Sequence, residues 1–237
     1  LLARDVDTRV AVAAVSALAP LTTDTAAQPA IRDAARRIRR QARNAADPIL
    51  RAAATPDSLR PRRGAVTAPD PAPSDTHDYE ELVRRYIAPP LAGAPRPRAT
   101  IETPHGLITV ELLSDEAPMT VHNFISLAER GYFDGGVWHR VIPNFVLQDG
   151  APGGDPSGGP GWTIRDEINR VRYDRGMLGM ALSGPDTGGS QWFITHSPQP
   201  HLDGGYTVFG RVVDGMDAAD AILQGDPVTS IRSGGVR

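Results

Sequence analysis

The chain has 237 residues, 40% of them hydrophobic, and a formal net charge of −3: enough for one sizeable core and one or two domains. It has no cysteine, which excludes disulfides, thiolate nucleophiles and cysteine-ligated metals. All 25 basic residues are arginine, so a Schiff-base lysine and a P-loop are excluded too.

The first segment, 1–54, reads as helical. Val6, Val10, Ala13, Ala14, Ala17 and Leu18 recur at helical spacing, with Asp5 or Asp7 to cap the start and Pro20 to end it. A second helix is expected over 29–46, with Ile31, Ala34, Ala35, Ile38 and Ala42 on one face and five arginines on the other. The texture of 5–18 is similar to a HEAT repeat, and a single helical pair cannot bury its own face. These helices are therefore candidates for a protein contact. Residues 1–63 hold 12 arginines against 6 aspartates, while 64–237 hold 13 against 22 acidic residues. No aromatic residues interleave with the arginine stripe, so it reads as a solvated face and no nucleic-acid partner is expected. No apolar run reaches the ~20 residues of a membrane span. The chain starts at Leu1 without methionine and reads as a fragment or processed form, with bacterial cytoplasm and periplasm both open as compartments.

Residues 55–97 form the second segment. Prolines at 56, 61, 69, 71 and 73 predict a semi-rigid linker over 55–74. A short helix follows over 78–87, stopped by Pro89-Pro90, and Pro95-Arg96-Pro97 leads into the third segment, 98–237. There, alternation around Pro104-His105-Gly106 predicts a hairpin. Val121, Phe124, Ile125 and Ala128 predict a helix over 118–130 with Gly131 as its stop. Short strands are expected over 137–142, 145–148, 177–181, 192–195, 208–212 and 228–232, with a helix over 216–223. Many short strands and two helices suggest a closed antiparallel barrel.

Three stretches carry the chemistry. Trp138-His139-Arg140-Val141-Ile142-Pro143-Asn144-Phe145-Val146-Leu147-Gln148 sets an arginine and a glutamine in a run that otherwise reads as buried, and a buried arginine needs a partner. Gly189-Ser190-Gln191-Trp192-Phe193 and His201-Leu202-Asp203-Gly204-Gly205-Tyr206 follow. In this order and spacing they resemble the cyclophilin family of peptidyl-prolyl cis-trans isomerases, from about residue 98 to about 232. The resemblance implies a mainly β fold: a closed eight-stranded antiparallel barrel with a helix at each end. It also implies action on X-Pro bonds of proline-containing polypeptides, in protein folding, with no cofactor and no metal.

Rotating an X-Pro amide breaks no bond. The barrier is amide resonance, ~18–20 kcal/mol. A site needs to hold the proline ring and favour the twisted amide, which a fixed guanidinium can do by donating to it. The resemblance makes Arg140 that guanidinium and gives Gln148 and Gln191 the orienting of Arg140 and the binding of substrate backbone. Phe145, Val146, Phe193, Leu202 and Tyr206 would line the proline pocket, and Ala181 and Leu182 would offer main-chain hydrogen bonds. His201 stands where tryptophan is frequent in the family and donates its indole N–H to cyclosporin. Val146, Leu182 and Tyr206 replace a common methionine, asparagine and histidine. Two other readings compete: a proline-peptide binding module without catalysis, and the end of a helical-repeat scaffold.

Overall fold

A computed structural model describes residues 14–15, 17–18, 20–22, 29–43, 76–151 and 158–234. The chain divides into two compact units, Leu1–Arg62 and Arg63–Arg237. In the first, helix α1 (Pro29–Arg43) starts on a proline, whose missing N–H is an orphan at that position anyway. Ala35 and Ala42 are buried, as the stripe predicts, but Ile31 in the first turn is 46% exposed. Two of the arginines serve the unit itself: Arg36 donates twice to the Thr22 carbonyl (3.2 and 3.1 Å) and Arg39 to the Val15 carbonyl (2.9 Å). Most of the expected 5–18 helix, the 44–46 end of the second and the 55–74 linker lie outside the described residues.

The second unit opens with helix α2 (Thr76–Leu82), a π turn (Val83–Ile87) and a last turn, α3 (Ala88–Leu91). The helix therefore runs through Pro89-Pro90 instead of stopping there. Pro90 has no N–H to give the Tyr86 carbonyl four residues back. The buried Ser114 hydroxyl donates to it instead, at 2.7 Å. Leu82 and Tyr86 pack into the core. Arg96 binds Asp115 through two bonds (2.7 and 2.8 Å), and the Pro97 carbonyl accepts from the Leu112 N–H, so 96–97 is docked where it leads into β1.

Among the described residues ten strands follow in mainly β architecture: β1 (Arg98–Thr103), β2 (Gly106–Leu112), β3 (Gly136–Val137), β4 (Arg140–Val141), β5 (Val146–Asp149), β6 (Met177–Met180), β7 (Trp192–Thr195), β8 (Val208–Asp214), β9 (Pro227–Val228) and β10 (Ser230–Gly234). Eight make one curled antiparallel sheet in the order β10-β1-β2-β8-β6-β7-β5-β4. The expected closure does not occur. Its edges, β10 and β4, do not pair, and β3 and β9 form a separate two-stranded sheet. The expected strand over 137–142 breaks at Trp138-His139, because Trp138 exchanges backbone bonds with Gly225 and Asp226 in the loop before β9. Only two residues remain for β4, and they bond to β5 alone.

Helix α4 (Pro118–Glu129) packs on β10 and helix α5 (Met216–Ala221) on β2. Ala117, the residue before α4, has no side-chain oxygen to cap it. Glu167 does so from a distant loop, accepting from the Met119 and Thr120 N–H groups (3.0 and 2.7 Å) and the Thr120 hydroxyl (2.7 Å). At the other end Tyr132 N–H reaches the Leu127 carbonyl and Gly131 N–H the Ala128 carbonyl, with Gly131 at φ 66°, a Schellman stop.

Strand residues alternate between two faces. Ile101, Ile108, Leu147, Leu178, Trp192, Ile194 and Phe209 face the main core with α4 and α5. Val146, Met177, Phe193 and Val208 face the other way, with Leu113, Tyr173 and Leu202, in a smaller cluster.

Candidate active site

The smaller cluster is organised on one rung of the sheet. Reading across five strands, the Cα partners are Arg140 on β4, Gln148 on β5, Phe193 on β7, Gly179 on β6 and Val208 on β8. Directly opposed residues share a face, so these side chains are neighbours by register. Arg140 is exposed, contrary to the buried reading of its stretch. It lies on an edge strand with its side chain on the open face, so burial imposes no demand for a counter-charge.

Polar contacts run along the rung. Arg140 Nη1 donates to Gln148 Oε1 (3.2 Å), Gln148 Nε2 to Gln191 Oε1 (3.0 Å), and Gln191 Nε2 to the Gly158 carbonyl (3.0 Å). Each amide thus turns its oxygen toward the previous donor, and the guanidinium is held at one nitrogen. Arg140 Cζ is also 5.3 Å from the centroid of the Phe145 ring, a cation–π contact. Gly150 follows β5 with φ +95°, and a Cβ there would overlap the Ser190 carbonyl. That close approach brings the segment before Gln191 against the end of β5. Ser190 ties it down, donating to the Gly150 carbonyl at 2.6 Å.

Beside this chain lies an aromatic pocket. Phe193 stacks on Tyr173 (centroids 5.6 Å apart, 26°) and meets Tyr206 edge-on (6.2 Å, 81°). Val146 and Leu202 are buried with it, and Phe145, Ala181 and Tyr206 pack on it half-exposed. Gly179 makes this possible, since a Cβ there would overlap the Phe193 ring and the Tyr173 hydroxyl. His201 is exposed and stacks on the outer side of the pocket against Phe145 (5.6 Å, 27°).

Of the two residues expected to offer main-chain hydrogen bonds, Leu182 packs its side chain against the main core. Ala181 adjoins the pocket, and its N–H goes to the Gln191 carbonyl (3.0 Å). Sequence reasoning missed Tyr173, which forms a pocket wall and donates to the Thr207 carbonyl (3.1 Å). Burial, with Tyr206 and Asp203 nearby, pushes its hydroxyl far above the usual tyrosine range and keeps it a donor. The one cue was a bulky aromatic in a polar, aperiodic stretch. Among the described residues no group of three or more His, Asp or Glu is arranged to hold a metal.

The arrangement sets an exposed guanidinium beside an aromatic cluster, with no nucleophile–base pair in the rung. Comparison with known proteins points the same way. Residues 98–233 match the family model for cyclophilin type peptidyl-prolyl cis-trans isomerase/CLD. The chain is 50% identical over 127 residues to peptidyl-prolyl cis-trans isomerase B of Bacillus subtilis, covering 53% of this chain and 89% of that protein. It is 44% identical over 137 residues to a peptidyl-prolyl cis-trans isomerase of Synechococcus elongatus, covering 57% and 94%. The crystal structure of a cyclophilin type isomerase from Cryptosporidium parvum superposes with a TM-score of 0.55 at 32% identity, over 60% of this chain and 99% of that one. A second structure of that protein, in the presence of the dipeptide Ala-Pro, gives 0.51 at 34% identity, over 56% and 93%. The chain belongs to the cyclophilin-type peptidyl-prolyl cis-trans isomerase family.

Proposed function

We propose that this isomerase turns X-Pro bonds with Arg140 as its catalytic guanidinium and the Phe193 pocket as its proline seat. The observation that carries the reading is the shared rung: Arg140, the Gln148–Gln191 chain that orients it, and Phe193 are cross-strand neighbours on one face. A proline ring against Phe193, Val146 and Leu202 fixes one side of the amide. The preceding carbonyl swings past Arg140. As the amide twists, its nitrogen becomes pyramidal and its lone pair, no longer shared with the carbonyl, can accept from the guanidinium. That bond exists only in the twisted state, so it lowers the barrier without tightening the ground state. Gln148 holds Nη1 and leaves other guanidinium N–H groups for the substrate. Gln191 and the Ala181 carbonyl are the candidates for holding substrate backbone, with Phe145, Tyr206 and His201 at the rim.

The substrates of this reading are proline-containing polypeptides, and the family relative crystallised with Ala-Pro supports that class. The 98–237 segment carries the activity. The 55–97 segment joins it to the 1–54 segment, whose helix α1 is proposed to meet a protein partner. No helix among the described residues is long and apolar enough to cross a membrane.

The test is a protease-free isomerisation assay on a short X-Pro peptide. Arg140→Ala is expected to lose roughly 100- to 1000-fold in kcat/KM with an unchanged thermal midpoint, because the side chain is exposed. Arg140→Lys should also be poor, since a point charge does not reproduce the fork. A folded Arg140→Ala protein with normal turnover would sink the reading.

A further inference from the structure

The next rung outward from Arg140 and Gln148 holds His139 and Asp149, by continuation of the β4–β5 register. Alternation turns both toward the core, behind the catalytic pair. Their side chains are 5% and 0% exposed, and His139 Nδ1 stands 4.0 Å from Asp149 Oδ1. A carboxylate buried this completely is tolerated only with compensating charge or hydrogen bonds. A 4.0 Å separation suits a charge contact or a bridge through one water.

The support this gives is needed where it falls. Arg140 sits on an edge strand of two residues, bonded to one neighbour, between a break at Trp138 and a proline at 143. Its guanidinium lies in the open and is oriented by Gln148 and Phe145. Little backbone ladder fixes the base of that side chain. His139, just before β4, and Asp149, at the end of β5, stand side by side in the core next to the residues that set the guanidinium. Asp149 is itself anchored, as the Cα partner of fully buried Trp192.

We infer that His139 and Asp149 are positioning residues, a buried polar pair that holds Arg140 and Gln148 in their productive arrangement. The inference rests on the proposed role of Arg140. It concerns how that residue is held and places neither His139 nor Asp149 in contact with substrate.

The experiment uses the full chain with Asp149→Asn, His139→Gln and the double variant. Three things are read: kcat and KM per folded molecule, the thermal midpoint, and the NMR signal of the Arg140 Nε–H group. Asp149→Asn is expected to lower kcat by about tenfold or more with KM nearly unchanged, and to broaden or split the Arg140 signal. The double variant should be no slower than the worse single variant, as for two residues acting as one device. If Asp149→Asn does not fold, His139→Gln carries the same criteria. Wild-type kcat with an unchanged Arg140 signal in a folded variant overturns the inference, and so does a double variant whose losses multiply. Arg140→Ala, run alongside, separates the two claims. If it kills activity while the pair variants do not, only the pair's role falls; if it is active, the role of Arg140 falls first.

Discussion

Two neighbouring rungs of one sheet meet opposite fates. Arg140, Gln148 and Phe193 look onto the open face, while one step along, Asp149, Trp192 and Met180 look into the core. The first rung is graded, from an exposed arginine through a half-buried glutamine to a phenylalanine that is 5% exposed. The second is sealed, and its Trp192 meets Trp138, Phe124 and Phe133 edge-on. The same aromatic chemistry fills a core on one side and lines a seat on the other. The difference lies in what stands opposite. Trp192 faces Met180, which fills its space, whereas Phe193 faces Gly179, which leaves room for Tyr173 and an open rim.

The contrast can be broken most strongly from the sealed side. Trp192→Ala should cost about 3–5 kcal/mol of unfolding free energy, read by chemical denaturation, where Arg140→Ala costs almost none. A loss below about 1 kcal/mol would mean that the core rung is not sealed.

Gly179→Ala attacks the seat itself. The added methyl overlaps two rings that are packed against each other. Overpacking of this kind costs about 1–3 kcal/mol, and because the Phe193 ring must turn, KM for an X-Pro peptide should rise. An unchanged KM would show that the ring does not form the floor of the seat.

His201→Trp sharpens the open rim. A larger ring on Phe145 with an N–H to give should tighten cyclosporin by roughly one to three decades, with a smaller change in peptide turnover. Equal inhibition of both proteins by titration would remove His201 from the ligand-facing rim.

The smallest effect concerns Glu167, which caps α4 and whose N–H donates to the Thr207 hydroxyl behind the pocket. Burial raises its carboxyl above the usual glutamate range, against the pull of the Met119 and Thr120 donors. The folded state therefore binds this proton more readily than the unfolded state. The associated stability is fully present below the ordinary glutamate value and is lost as pH rises through the folded value. Glu167→Gln should remove that part of the slope from the stability-versus-pH curve. An unaltered slope would mean that the carboxyl is not buried in solution.

Local pattern made some of this legible. The β1–β2 hairpin and α4 with its Gly131 stop follow from periods of two and 3.6 residues and one glycine. Arg140, Gln148, Gln191 and Phe193 were legible through resemblance, and their register supplies the physical reason for their grouping. What could not be read depends on distant partners. The helix through Pro89-Pro90 rests on Ser114, and the capping of α4 rests on Glu167, 48 residues beyond Met119. The break that shortens β4 comes from backbone bonds of Trp138 to the 225–226 loop. Tyr173 becomes a pocket wall only because Gly179 makes room for it.

The curled sheet has one more property. Arg98, where the family match begins, is the Cα partner of Gly234 on β10, and adjacent strands lie ~4.8 Å apart. Entry and exit of the catalytic fold are side by side, far along the sheet order from β4 and β5. Such a fold behaves as a cassette: a host loop could receive it without being stretched, and a short splice could join its ends for circular permutation. The stretch 76–97 is part of that cassette, since Leu82 and Tyr86 fill its core and Arg96 binds Asp115, and would have to travel with it.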